Sequence, residues 1–511
     1  MKKISSTIAL WFCLLGGLFT LSCTDLDEKV FSSLDVNNFF RTESEVMQNV
    51  GRIYRHLRAY NFYFGATALD LATTDETIIP LREGNLWWDN GEWIQFHRHE
   101  FHPNHRAVGW GWEFCFNGVT MCNQVLSQLE ETTVPIETKP NIIAEVKTMR
   151  AFFFLKAMDW FGDIPVTTDF KDTALPVQRT RSEVFDFLAS ELTAQLPLLD
   201  ETPTRKNYGR ATRGLANMML TKLYLNAEVW KGTPMWDKAI EHADQVINGP
   251  YSLSENFFSN FAVQNENSPE NIFVIPYDRT YVTNDILRIY SWTLNSLSRF
   301  TFNFSAGAWS GFAALEEFYN LFHPDDIRIE TWLVGPQFSS SGEPLMITPS
   351  RQLNYTPGVR ALNNPENPAL VDEGPRFKKY EYEPGLLNNQ SMSNDFVLYR
   401  LADAILMKAE ALMRKNGNMA TEEAVALVNQ VHTRSFKTHS YTVETLTMDE
   451  LLAERGREFA WEGHRRTDLI RFGKWLTPWY EKPQSPERAL LFPVPYFALD
   501  LNPHLKQNTG Y

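Results

Sequence analysis

Apolar side chains recur along much of this chain with the period of a helix. Val146, Met149, Phe153, Ala157 and Trp160 fall at i, i+3, i+7, i+11 and i+14. They form one stripe, which Gly162 and Pro165 bring to an end. After Gly214 the pattern repeats at Ala216, Leu220, Leu223 and Ala227. Past a turn at Gly232-Thr233-Pro234, Ile240, Ala243 and Ile247 form a second stripe before Gly249-Pro250. Two stripes joined by a short breaker predict a helical hairpin. The unit returns near the C-terminus, with Leu401, Ile405, Ala409 and Leu412 on one helix and a turn at Asn416-Gly417-Asn418. Ala424, Leu427, Val428 and Val431 lie on the next helix. Thr421 is its expected N-cap, and Glu422 and Glu423 place negative charge in its first turn.

Hairpins of small and large apolar residues look like degenerate tetratricopeptide units, which stack into a curved scaffold. Between roughly residues 255 and 390 the helical period fades and Asn, Ser, Pro, Gly and Tyr take over. Ser339-Ser340-Ser341-Gly342 and Asn363-Asn364-Pro365-Glu366-Asn367-Pro368 read as surface turns. The expected fold is therefore mainly α: tetratricopeptide-like hairpins forming a curved scaffold, with a loop-rich variable insert. The expected division is a signal peptide (1–22), a tether (23–45) and a helical scaffold (46–254) with an early binding loop near 75–112. A variable ligand-binding region (255–390) and a C-terminal hairpin segment (391–511) follow.

The first residues change the picture from a globular body to an exported one. Lys2 and Lys3 precede an apolar run from Ile8 to Leu21, and Ser22 stands before Cys23. That run is shorter than the roughly 20 apolar residues a spanning helix needs, so cleavage before Cys23 and acylation of its thiol are expected, although Thr20 stands where an aliphatic residue is preferred. The acidic Thr24-Asp25-Leu26-Asp27-Glu28 resembles a surface-export signal of lipoproteins and reads equally well as a solvated tether. With 43% apolar and 14% aromatic residues the body can bury a large core. Its formal charge of −14 repels polyanions such as nucleic acid at long range. Cys115 and Cys122, if on one helix, stand about 10.5 Å apart, beyond disulfide reach, and are expected to be buried thiols.

Four separated blocks carry a family resemblance. Asn394-Asp395-Phe396-Val397-Leu398-Tyr399-Arg400-Leu401-Ala402-Asp403 precedes Lys408-Ala409-Glu410-Ala411-Leu412. Arg457-Glu458-Phe459-Ala460-Trp461-Glu462-Gly463-His464-Arg465-Arg466-Thr467-Asp468-Leu469-Ile470-Arg471 is the second block. The chain closes on Phe492-Pro493-Val494-Pro495 and the segment Leu501 to Tyr511. Upstream lie Met149-Arg150-Ala151-Phe152-Phe153-Phe154 and Phe161-Gly162-Asp163-Ile164-Pro165. Together they resemble the SusD/RagB family of outer-membrane lipoproteins. The resemblance implies a surface protein seated over a SusC-like TonB-dependent transporter. It would hold the membrane through a lipid anchor, capture an oligosaccharide or polysaccharide and pass it on without catalysis. Capture of peptides or glycoprotein glycans is one alternative. A surface glycoside hydrolase is another, but nothing selects two catalytic carboxylates among 62 acidic residues.

Within that frame the charged signature reads as structural. Arg455, Glu458, Glu462, Arg465, Asp468 and Arg471 sit at three- and four-residue spacings where opposite charges can pair along a helix. Sugars present apolar C–H faces ringed by hydroxyls, so aromatic side chains beside amides and carboxylates are the better binding candidates. Trp87, Trp88, Asp89 and Asn90 supply that mixture, and Trp292 and Trp309 lie among Ser, Asn and Gly. Trp160, Trp461 and Trp475 follow helical patterns and are expected in the core, while Trp110 and Trp112 are left open. Two ring faces of ~100 Å² each give ~5 kcal/mol before entropy losses, which means micromolar to millimolar binding. His97, His99, His102 and His105 read as a surface strand and loop, not a metal site. No cofactor is expected, apart from a structural calcium in the Asp- and Asn-rich loops.

Overall fold

The computed structural model describes residues 42–511. The signal segment, Cys23 and the acidic tract lie outside the described residues. Helices dominate. The first half holds α1 (Glu43–His56), α2 (Ala66–Leu71), α3 (Glu92–His97), α4 (Arg106–Glu131), α5 (Lys139–Phe161), α6 (Arg181–Gln195), α7 (Arg213–Leu225), α8 (Ala227–Lys231) and α9 (Trp236–Ile247). Short α10 (Ile289–Thr293), α11 (Arg299–Phe302) and α12 (Glu316–Tyr319) follow in the loop-rich stretch. The C-terminal part holds α13 (Leu401–Lys415), α14 (Glu422–Ser435), α15 (Met448–Phe459), α16 (Arg465–Arg471) and α17 (Tyr496–Leu501).

The long helices start and stop where their sequences dictate. Pro140 sits in the first turn of α5, where a missing N–H costs nothing. Gly162 ends that helix in a φ of 76°, its N–H donating to Met158 O at 3.0 Å. From Ala144 to Phe161 nearly every side chain of α5 is buried, so it forms the centre of the body. Thr180 and Glu183 cap α6 reciprocally. Thr421 caps α14, its hydroxyl accepting from Ala424 N at 3.1 Å. Successive helices pack on each other, α4 on α5, α5 on α6 and α7 on α9. In turn α9 meets α13, and α13 meets α14. Cys115 and Cys122 are buried, unpaired thiols on α4, and burial pushes both away from ionisation. Trp160, Trp461 and Trp475 are in the core.

Between residues 255 and 390 the chain uses loops, single helical turns and strands of two to five residues. Asn271–Ile275 pairs antiparallel with Phe396–Arg400, Phe396 opposite Ile275 and Val397 opposite Val274. That ladder ties the insert to the C-terminal hairpin. Asp395 anchors its end: one carboxylate oxygen accepts from Tyr277 N at 2.8 Å and the other from the Tyr208 hydroxyl.

The charged signature does not pair along one helix as its spacing suggested. Of its six residues only Asp468 and Arg471 bond within a helix, at 2.7 Å. The others reach across the molecule. Arg455 meets Asp403 at 3.0 Å and Asp468 at 2.7 Å, Arg465 meets Asp75 at 2.6 Å, and Arg471 meets Glu410 at 2.6 Å. Glu458 and Glu462 bind Arg400 at 2.6 and 2.8 Å, and Glu458 also binds Arg328 at 2.9 Å. Burial alone would raise the Glu458 carboxyl, but Arg434, Arg400 and Arg328 outweigh it and hold it down at about 2. This block joins α13, α15 and the insert through side chains that are almost all buried.

Candidate functional site

The early loop is strained. Between residues 84 and 91, Gly84, Asn85, Trp87, Asp89, Asn90 and Gly91 all take positive φ. At Trp87, with φ 62°, the conformation is unfavourable for so bulky a residue. Such strain persists only where the surroundings enforce it. The Arg82 guanidinium, fully buried, donates to Gly311 O at 2.8 Å and Leu370 O at 2.6 Å. Trp87 Nε1 donates to Trp309 O at 2.7 Å. Gly311 leaves room for the Trp87 ring, since a Cβ there would sit 2.1 Å from it. Asp89 is occupied in support, accepting from Trp93 Nε1 at 2.7 Å and lying 3.6 Å from Arg106. Asn90 is exposed beside it.

The later loop is laid along α10. Trp309 N donates to Ser291 O and Ser310 N to Leu294 O, both at 2.8 Å, with Ser310 at φ 57°. The structure thus brings Trp87 and Trp309, 222 residues apart, into one cluster. Their ring centres are 6.4 Å apart, and Tyr63 stands edge-on to both, at 5.8 and 5.7 Å. Trp309 is 38% exposed and carries the Arg288 guanidinium 5.1 Å from its ring centre. Trp110 is equally exposed, its ring 5.0 Å from Phe62. Trp88 is exposed, with its ring against Gly91.

Trp292, named as a binding candidate, does not present an open ring face. It is 2% exposed, on a helix that packs it against Phe312 and Tyr63. Its edge nevertheless lines a cleft of about 300 Å³ next to the cluster, and its indole N–H has no acceptor among the described residues. Phe62, Arg58, Arg288, Asn284 and Asp285 line the same cleft, with Asn389. Burial and the nearby Asp89 raise the Tyr63 hydroxyl, while Arg288 and Arg106 oppose them. Apolar ring faces beside amides, guanidiniums and a carboxylate are the chemistry that a sugar ring requires.

The histidine segment departs from its expected form as a surface strand and loop. Residues 92–97 form α3, and His97, His99 and His105 are buried. His97 Nε2 donates to Tyr480 O at 2.6 Å and His99 Nε2 to Thr73 O at 2.8 Å, while His105 Nε2 pairs with Gln95 Oε1 at 2.5 Å. Burial lowers His97 to about 4 and His105 to about 3, keeping both neutral. Among the described residues no three His, Cys, Asp or Glu side chains converge as metal ligands.

Sequence reasoning missed Tyr63, Phe62 and Arg288, and it left Trp110 open. The run Phe62-Tyr63-Phe64 before Gly65, an aromatic cluster beside a turn-forming residue, was the signal for the first two.

The comparisons with known proteins agree with this architecture. The family model described as the SusD family matches residues 243–487. A second, described as starch-binding and associating with outer membrane, matches residues 39–225. The starch-binding protein SusD of Bacteroides thetaiotaomicron is 25% identical, over 83% of this chain and 82% of that one. A SusD-like protein of Formosa agariphila is also 25% identical, over the whole of both chains. Among solved structures, a laminarin-binding SusD-like protein superposes with a TM-score of 0.75 at 20% identity, covering 92% of this chain and 100% of that one. Surface glycan-binding protein A from Bacteroides thetaiotaomicron, solved with laminarihexaose, gives 0.72 at 19% identity, covering 91% and 99%. These superpositions carry the fold, and the two family models span nearly all of the described chain: the protein belongs to the SusD family.

Proposed function

We propose that this chain is a non-catalytic, lipid-anchored capture protein of the outer membrane that binds an oligosaccharide or polysaccharide and delivers it to a SusC-like TonB-dependent transporter. The observation that carries the reading is the cluster of Trp87, Tyr63 and Trp309 beside the cleft at Trp292. It joins two loops remote in sequence into one partly exposed aromatic surface, and the strained backbone at Trp87 is held in place for it. Trp309 and Trp110 offer ring faces, while Asn284, Asp285 and Asn389 offer partners for hydroxyls. Trp88 is a further face at the rim. Asp89 acts by positioning, and Trp292 supports the ring cluster from below. Glycan binding is named for the starch-binding relative and for the laminarin-binding neighbour, which supports the same class of ligand here.

Binding through one or two ring faces is weak, at ~2.5 kcal/mol per face before entropy losses, which suits a protein that must release its cargo. Affinity electrophoresis of the purified body against a polysaccharide panel tests the proposal. Retardation by at least one polysaccharide, relieved by W309A and without new reducing ends, is the expected outcome. Cleavage of the polysaccharide, or retardation by none, would overturn it.

A further inference from the structure

The cleft beside the aromatic cluster uses arginine differently from the buried charged block. Arg58 and Arg288 both line it, and neither forms an ion pair with a carboxylate among the described residues. Arg58 Nε donates to Pro276 O at 3.3 Å, and its guanidinium lies 5.7 Å from the Tyr277 ring centre. Among the described residues, Arg288 lies against the Trp309 ring, whose centre is 5.1 Å from its guanidinium carbon. Elsewhere the arginines of the buried block meet carboxylates at 2.6 to 2.9 Å. A guanidinium lying against an indole keeps its N–H edge free, and that planar fork matches a carboxylate or sulfate with two parallel hydrogen bonds. Asp285 lines the same cleft, so two guanidiniums face one carboxylate and the local balance is positive.

We infer that the glycan this protein captures is acidic, and that Arg288, assisted by Arg58, receives an anionic substituent of the sugar while its ring lies against the Trp309 and Phe62 faces. This rests on the capture reading above and narrows its ligand to one bearing a uronic-acid carboxylate or a sulfate ester. The chain's net charge of −14 does not forbid it. Exposed charges beyond a Debye length of about 8 Å at physiological salt are screened, whereas a contact to Arg288 is not. Charge-assisted bonds in the cleft then add to ring stacking.

The test sets neutral against acidic polymers in affinity gels of the purified body: starch, laminarin and xylan on one side, polygalacturonate, alginate, glucuronoxylan and carrageenan on the other. Retention by an acidic polymer is expected. Calorimetry with oligosaccharides of that polymer should show affinity falling about tenfold in R288Q, less in R288K, and falling as salt rises. Carboxyl reduction of a retained uronate, or desulfation of a retained carrageenan, should weaken binding to a similar extent and separates the two sources of charge. Among the described residues Arg288 makes no side-chain hydrogen bond, so R288Q should melt with the parent and the loss can be read as binding. Retention by a neutral polymer, with R288Q and R58Q binding it as the parent does, overturns the inference and leaves glycan capture standing. Retention by no polymer overturns both.

Discussion

Two arginine-rich regions of this molecule use the same side chain for opposite ends. In the buried block, Arg328 meets Asp326, Glu454 and Glu458 at 2.7 to 2.9 Å, Arg400 meets Glu270, Glu458 and Glu462 at 2.6 to 2.8 Å, and both arginines are fully buried. In the cleft, Arg288 is half-buried and touches an indole face. Removing charge from water is costly, and a buried guanidinium is tolerated only when its partners saturate it. Saturation also ends its use to a ligand. The residues that stand out most as a sequence motif are therefore committed to holding α13, α15 and the insert together, while the side chains left open belong to loops with no motif at all.

The sharpest way to break this comparison is to remove one partner from each side. Arg400→Met leaves Glu270, Glu458 and Glu462 short of a cation inside the fold. Stability should drop by about 3–5 kcal/mol, read as a lower urea midpoint, with the affinity of the folded fraction unchanged. A loss of affinity without a loss of stability would move the block into the binding site. The next effect concerns Glu76, under the same block. One oxygen accepts from Trp461 N at 3.0 Å and the other has no partner among the described residues. Burial pushes this carboxyl up to about 8, against the lowering pull of the Trp461 N–H and Arg465. Its folded value is raised, so from about pH 4.5 to 8 the folded chain holds a proton that the unfolded chain has lost, and stability contributed by Glu76 falls as pH rises through that window. At 1.36 kcal/mol per unit, the parent should lose roughly 3 kcal/mol relative to Glu76→Gln between pH 4.5 and 7. Parallel urea curves for the two proteins across that range would mean that Glu76 is ionised in the fold.

The same contrast explains what could be read from the chain. The helices α5, α7, α9, α13 and α14 were legible because a 3.6-residue stripe is a local signal, and Gly162, which stops α5, and Gly232, which stops the short α8 after α7, are local too. Thr421 was legible as a cap for the same reason. The pairing of the signature was not, since Arg465 finds Asp75 390 residues away and no local spacing reports that. Trp292 read as a binding candidate because Ser and Asn surround it, yet α10 turns it under the loop that carries Trp309. The histidines looked like an alternating strand because His97 and His99 are two apart, whereas His97 ends α3 and the chain reverses at His99, with φ 57°. The early loop read correctly as polar and glycine-bearing, but the positive φ of Trp87 depends on Gly311 and Arg82, which only the fold brings near.

On the open side of the comparison the effects are smaller and fall on affinity. Trp309→Ala removes one partly exposed ring and keeps the carbonyl that Trp87 uses. The ring face is worth at most ~2.5 kcal/mol, so the dissociation constant for a retained glycan should rise about ten- to fiftyfold while the urea midpoint barely moves. A destabilised Trp309→Ala would instead make that ring a core element. Trp87→Phe gives the smallest and most diagnostic change. It keeps an aromatic ring against Gly311, Tyr63 and Phe312 but deletes the 2.7 Å bond to Trp309 O. Losing one such bond costs about 1 kcal/mol or less of stability here, because the freed carbonyl lies at a surface loop that water can reach. If that bond positions Trp309, affinity should fall severalfold as well, and adding Trp87→Phe to Trp309→Ala should bring no further loss. Independent, additive losses in a double-mutant cycle would mean that Trp87 meets the glycan itself.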